Sequence, residues 1–325
     1  MKKILLICLF AGLILNLGAQ KKKVAYCTFT KVMDATATTV DNDPIIQVLK
    51  ADPNFDVTVI VVATATDVIP GLDTYDLVVV QEGFGSGAGI LKTTGSLSLS
   101  AMPKPVIYNK TYAFRNNLAV GASTATAADI AQLAITVLPG ALNHDLFKAC
   151  TINSNNEISI FVTGTNDVGA TGAKSLNVAR GNVMSNTTTL LAQPATVTDA
   201  TISINDIPAG TVIDNTIINS RMITFNMNFG AICATGGRNI TNDGLTMWRN
   251  AAYILTGLPV PSTKATLPTS VVNPGDNGRI VAVEYFNISG VSVKEPQKGI
   301  YVKKTTFDNG LIKSDKVVFI EEFSR

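Results

Sequence analysis

Tyr75-Asp76-Leu77-Val78-Val79-Val80-Gln81 decides the fold class: four aliphatic side chains in a row, with no polar alternation, between a charged residue and a polar stop. Such a run suits a strand buried on both faces, the situation in a parallel sheet covered by other elements. Residues 23–29, 56–62 and 105–109 repeat the pattern, so four such strands are predicted in the first 140 residues. Between the first two, Asp43-Pro44 offers an N-cap and first-turn pair for a helix through Lys50. Strand, helix, strand is the unit from which parallel sheets are built. A Ser/Thr-rich opening before residues 125–138, with Ile130, Leu133, Ala134 and Val137 at helical spacing, predicts a second helix.

Working outward, residues 143–229 turn to Thr, Asn and Ile with period-two stretches at 157–162, 201–205 and 221–228, punctuated by Gly164, Gly169, Gly172 and Gly181. They predict a strand-rich insertion. Residues 242–255 return to helical spacing along Leu245, Trp248, Ala252 and Leu255, with Gly257 as a stop. The large α/β domain is therefore placed at 20–258. Pro259, Pro261 and Pro268 among Ser and Thr predict a stiff linker over 259–278. Residues 279–325 carry only short β segments, with Ser289-Gly290 and Asp308-Asn309-Gly310 as turns, and predict a small all-β module.

The first residues have the three zones of an export signal: Lys2 and Lys3, an apolar run over 4–15, and Leu17-Gly18-Ala19 before Gln20. That run is too short for the ~20 residues that span a bilayer. Cleavage after Ala19 is expected, followed by periplasmic transit and a secreted or cell-surface location, with no membrane span in the mature chain. At 46% hydrophobic, 15% charged and +2 net, the chain has a core's worth of apolar surface but no field for nucleic acid or an anionic membrane. Cys27, Cys150 and Cys233 remain after processing, an odd number in apolar surroundings, which points to small hydrophobes rather than a disulfide framework.

Val283-Glu284-Tyr285-Phe286-Asn287-Ile288-Ser289-Gly290, then Gly299-Ile300-Tyr301-Val302-Lys303-Lys304, then Lys316-Val317-Val318, make the last segment resemble the C-terminal sorting domain of the type IX secretion system of Bacteroidota. The resemblance implies delivery across the outer membrane by that machinery and processing by a surface sortase, with Gly290, Gly299, Tyr301 and Lys316 as motif positions. The large domain, through residues 75–80, Lys104-Pro105-Val106-Ile107-Tyr108-Asn109 and Ile240-Thr241-Asn242-Asp243-Gly244, is similar to the flavodoxin-like group of class I glutamine amidotransferases and trehalose-utilisation-like proteins. In amidotransferases a Cys on a Gly-flanked turn follows the fourth strand, but here that turn reads Tyr108-Asn109-Lys110-Thr111. The His-x-Glu partner is missing too, so the amidotransferase reaction does not carry over.

Ligands of open parallel sheets sit at the carboxyl ends of the strands. The candidates there are Thr28 and Thr30, then Glu82-Gly83-Phe84-Gly85-Ser86-Gly87, then Asn109, Lys110 and Tyr112. The glycine-rich loop lacks both nucleotide fingerprints. Glu82 and Lys110 form either an acid–base pair or an ion pair, the latter favoured. His144, the single histidine, precedes Asp145 but has no nucleophile elbow beside it. No metal-ligand spacing or cofactor motif is present. The expectation is a non-catalytic domain that binds a small ligand or a surface partner, with a secreted hydrolase or carbohydrate-processing enzyme as the alternative. A deep cleft joining Glu82, Lys110 and His144 would favour the enzyme; a crevice blocked by Phe84 or Tyr112 would favour binding.

Overall fold

The computed structural model describes residues 20–29, 43–62, 68–121, 124–164, 175–184, 189–268, 280–294, 296, 299–307 and 312–319. The export signal, Thr30, Gly169, Gly172, the second half of the expected linker and the 308–310 turn lie outside them. The chain divides into two compact units, Met1–Pro268 and Thr269–Arg325.

Unit 1 begins with β1 (Lys22–Phe29), α1 (Pro44–Ala51), β2 (Phe55–Val62), β3 (Leu77–Val80) and β4 (Val106–Tyr108), close to their predicted bounds. Helix α1 starts as anticipated: Asp43 accepts the Ile45 amide at 2.9 Å, and Ile45, Ile46, Val48 and Leu49 are buried. The stretch read as a second helix is instead two strands, β5 (Thr126–Ile130) and β6 (Ala134–Val137). Its β-branched content explains the correction. Ile135 and Val137, two apart, are both fully buried, so period two rather than 3.6 governs β6.

Then come β7 (Glu157–Ser159), β8 (Leu176–Arg180), β9 (Leu190–Pro194), β10 (Ile204–Ile207), β11 (Val212–Ile213), β12 (Thr216–Ile217) and β13 (Met222–Thr224), followed by α2 (Phe229–Gly237) and α3 (Asn242–Leu255). One sheet of nine strands runs β2-β1-β3-β4-β13-β10-β9-β6-β7. From β2 to β13 every neighbour is parallel, and from β13 to β7 every neighbour is antiparallel. The strand-rich excursion is thus no insert set apart from the sheet. β13 supplies the fifth parallel strand, and β6, β7, β9 and β10 extend the same sheet. Alternation tells which residues of a strand face inward, but not which sheet receives it.

The helices do not share the two faces of the sheet. All three lie on one, where α3 brings Leu245, Trp248 and Ala252 against the strands and Phe225 stacks on Trp248 at 4.3 Å. The other face is covered by an irregular segment after β3 that buries Phe84, Ile90, Leu91, Leu97, Leu99 and Met102. Its path requires Gly95, where a Cβ would lie 2.2 Å from the Ile90 oxygen, and the chain after β4 requires Gly121, where one would lie 1.7 Å from the Arg115 oxygen.

Residues 259–268 do not behave as a free linker. Val260 and Ala265 are buried, Lys264 pairs with Asp243 at 2.6 Å, and the Ala265 amide donates to Thr246 Oγ1 at 2.9 Å. Proline kept the segment extended without keeping it off the core.

In unit 2, β14 (Ile280–Asn287), β15 (Ser292–Val293), β16 (Gly299–Phe307) and β17 (Ile312–Phe319) form an antiparallel sheet ordered β15-β14-β16-β17. Asn287 Oδ1 accepts the amides of Ser289 and Val291, and Gly290 completes the turn at φ 78°. Tyr301 stands opposite Asn287 and Val317 in register; Lys316 is opposite Val302. Val283, Ile300 and Val302 are 42%, 47% and 41% exposed, whereas Thr305 is buried.

Candidate functional site

The carboxyl ends of the parallel strands carry a buried row of polar side chains on the helix-bearing face. Alternation places Thr28, Gln81 and Asn109 one step beyond the aliphatic residues of β1, β3 and β4. Asn109 Nδ2 donates to Gln81 Oε1 at 2.6 Å and to the Met227 carbonyl at 2.8 Å, while Asn109 Oδ1 accepts the Met227 amide at 3.0 Å. Gln81 Nε2 donates to the Tyr26 hydroxyl at 2.7 Å, and that hydroxyl donates to Asp43 at 2.5 Å. Burial pushes the Asp43 carboxyl up to about 6 and the Tyr26 phenol well above its ordinary value. This row stitches four elements together. Thr28 Oγ1 is buried and has no hydrogen-bond partner among the described residues.

Glu82 and Lys110 meet as an ion pair at 2.6 Å, with side chains only 12% and 8% exposed. Lys110 Nζ also donates to the Glu82 carbonyl at 2.7 Å, and Glu82 Oε2 accepts the Phe229 amide at the start of α2 at 3.3 Å. Gly83 is buried beside Phe84, whose ring packs 5.7 Å from Phe29. Tyr112 is partly exposed; its hydroxyl is pushed up to about 12 chiefly by burial and then by its bond to Asp129, and its ring lies under the guanidinium of Arg115 at 5.2 Å. Asp129 is on β5 and accepts from Asn177 of β8 at 2.7 Å. β8 is laid against the chain leaving β13, with Asn177 donating to the Asn226 carbonyl and Asn228 to that of Ser175. Among the expected crevice residues, Glu82 and Lys110 are thus bonded to each other, while the side chain of Asn109 is bonded to Gln81 and Met227.

His144 does not join them. It caps a short 3-10 turn, accepting the Leu146 amide on Nδ1 at 3.1 Å, and its Nε2 faces Asp206 Oδ2 at 3.1 Å. In the neutral ring the proton therefore sits on Nε2. Arg221 forks onto the same carboxylate, Nε to Oδ1 at 2.9 Å and Nη2 to Oδ2 at 2.5 Å. These bonds hold Asp206 down at about 2, against the opposing effect of burial. Arg221 precedes β13, so this trio sits at the amino end of that strand, away from Glu82 and Lys110. Two grooves meet at it. One, of about 810 Å³, is walled by Leu138, Ala141, Leu190, Leu191, Pro208 and Ala209; the other, of about 500 Å³, by Ile254, Leu258 and Val260.

No family model, curated protein or solved structure matches this chain. Its chemistry must be read from its own groups. Among the described residues no cluster of three His, Cys, Asp or Glu could hold a metal ion, and no helix is long and apolar enough to cross a membrane. Burial pushes the thiols of Cys27 and Cys150 up to about 12, which leaves them protonated and unreactive.

Sequence reasoning passed over Asp206 and Arg221 because they stand 15 residues apart in chain order and only antiparallel pairing of β10 with β13 makes them neighbours. A lone His beside Asp145 drew attention to the wrong aspartate.

Proposed function

We propose that this chain is an exported cell-surface protein whose large domain is a flavodoxin-like, amidotransferase-like binding module without catalytic chemistry, and whose C-terminal unit is a type IX sorting domain. One observation carries the binding reading: Glu82 and Lys110, the acid–base candidates of the carboxyl-end crevice, are neutralised by each other and by backbone groups. An acid or base must reach the proton it moves, and here the two groups are held against each other, the Glu82 carbonyl and the Phe229 amide. Support for the flavodoxin-like assignment comes from the parallel strand order β2-β1-β3-β4-β13, which is the 2-1-3-4-5 order of such sheets once the excursion before β13 is set aside. The hydrolase alternative draws less support, since both ring nitrogens of His144 are engaged.

The sorting assignment rests on the order of the C-terminal motifs and on an antiparallel unit divided from the large domain after Pro268. Its partners would be the outer-membrane secretion machinery and the sortase; the large domain's would be a small ligand or a surface partner. Incubation of the purified chain with glutamine and with ester, glycoside and peptide substrates tests the non-catalytic reading. The expected result is no turnover, and turnover abolished by Lys110→Met would overturn it.

A further inference from the structure

The two grooves at the amino end of β13 differ in character, and the difference carries an inference that rests on the binding reading and names what is bound. The larger, of about 810 Å³, runs between Leu138, Ala141, Leu190, Leu191 and Pro208, and its size falls in the range of small-molecule sites. The smaller, of about 500 Å³, is the more polar: Asn143, Asp145 and Arg221 edge it, with Ile254 and Leu258 as its apolar part. His144 and Arg221 line both, so an occupant of the larger groove that reaches past them enters the smaller. Asp206 holds Arg221 through Nε and Nη2, which leaves Nη1 without a partner among the described residues. The side chains of Asn143 and Asp145 are exposed and likewise have no bond to a described residue.

We infer that the paired grooves bind an amphiphile with one apolar arm and an uncharged, hydroxyl-rich head, as in an alkyl glycoside. The arm lies along the larger groove and the head sits in the smaller. One apolar wall takes one arm, and removing that arm and the wall from water drives the association. The head then faces a guanidinium N–H, a carboxamide and a carboxylate, donors and acceptors side by side. A hydroxyl both donates and accepts, so a polyol satisfies all three groups. An anionic head would bring its charge against Asp145, while the guanidinium that could offset it is already forked onto Asp206. A cationic head would meet Arg221 first, where the two grooves join. Ring C–H groups of a sugar supply the apolar surface that Ile254 and Leu258 call for.

The test is titration of the full chain with hexyl glucoside, hexanoate, hexylammonium, hexanol and free glucose, followed by methyl NMR of the leucines and side-chain amide NMR of Asn143. Hexyl glucoside is expected to shift Leu138, Leu190, Leu191 and Asn143 together, and to bind about tenfold more tightly than either ion or free glucose. Ala209→Trp, at an exposed position on the wall of the larger groove, should abolish the leucine shifts with an unchanged melting profile. Asn143→Ala and Asp145→Ala should each weaken the glucoside about three- to tenfold and leave hexanol, which fills the larger groove alone, unaffected. Absence of the shifts, either ion binding as tightly as the glucoside, or glucoside affinity indifferent to these variants would overturn the inference and leave the binding reading standing. Release of glucose from the bound glycoside would do the reverse, upholding the site and ending the non-catalytic reading.

Discussion

Asp43 and Asp206 show how one residue type acquires opposite pH behaviour from its surroundings. Asp43 is wholly buried with neutral partners, and its carboxyl rises to about 6. The fold then binds a proton more readily than the unfolded chain between about pH 4 and 6. Its ionisation costs nothing below that window and destabilises as pH rises through it, by on the order of 3 kcal/mol. Asp43→Asn should flatten the dependence, read as the change in urea midpoint between pH 4 and 7 relative to the parent. Asp206, held at about 2 by Arg221 and His144, contributes stability above its unfolded value near 3.9 that is lost as pH falls toward 2. Asp206→Asn should therefore cost stability at pH 7 and almost nothing at pH 2. For the buried pair, Lys110→Met should cost about 3 kcal/mol because Glu82 is left without its cation, whereas Lys110→Met with Glu82→Gln should recover most of that loss. Thermal melts of the three variants measure the difference.

At the element scale the 125–138 stretch is the instructive failure. Its apolar residues satisfy a helical stripe on paper, yet β6 gains hydrogen-bonded neighbours on both sides, β7 and β9, and a helix there would leave those strands unpaired. Ile135→Ala should cost about 2–4 kcal/mol, the range for emptying a core position, while the exposed Thr126→Ala should be nearly neutral. Helix α1 was legible from Asp43-Pro44 at its start and α3 from the stripe of Leu245, Trp248, Ala252 and Leu255 ended by Gly257; the structure adds the Thr241 cap, whose Oγ1 accepts the Gly244 amide at 3.0 Å. The segment at 259–268 was misread for want of tertiary information. A chain ending at Leu258 should melt lower than one ending at Pro268, since the shorter one uncovers the ground under Val260 and Ala265 and loses the Lys264–Asp243 pair.

For the whole molecule, the division after Pro268 makes the two units separable in principle. Removing residues 279–325 should leave unit 1 with an unchanged melting profile, and in a type IX-competent bacterium should leave it in the periplasm. Delivery of the truncated chain to the surface would end the sorting proposal. N-terminal sequencing of the exported protein should begin at Gln20. What the sequence determined by itself was local in origin: uninterrupted apolar runs placed β1 to β4, Asp43-Pro44 placed α1, an apolar stripe ended by Gly257 placed α3, and Ser289-Gly290 placed the turn between β14 and β15. Each depends on residues within a few positions of one another. Tertiary structure alone decided that the later strands extend the same sheet, that the helices crowd onto one face, and that Asp206 and Arg221 meet His144. Those outcomes depend on which backbone edges find partners at long range, and side-chain alternation is the same whichever edge a strand joins.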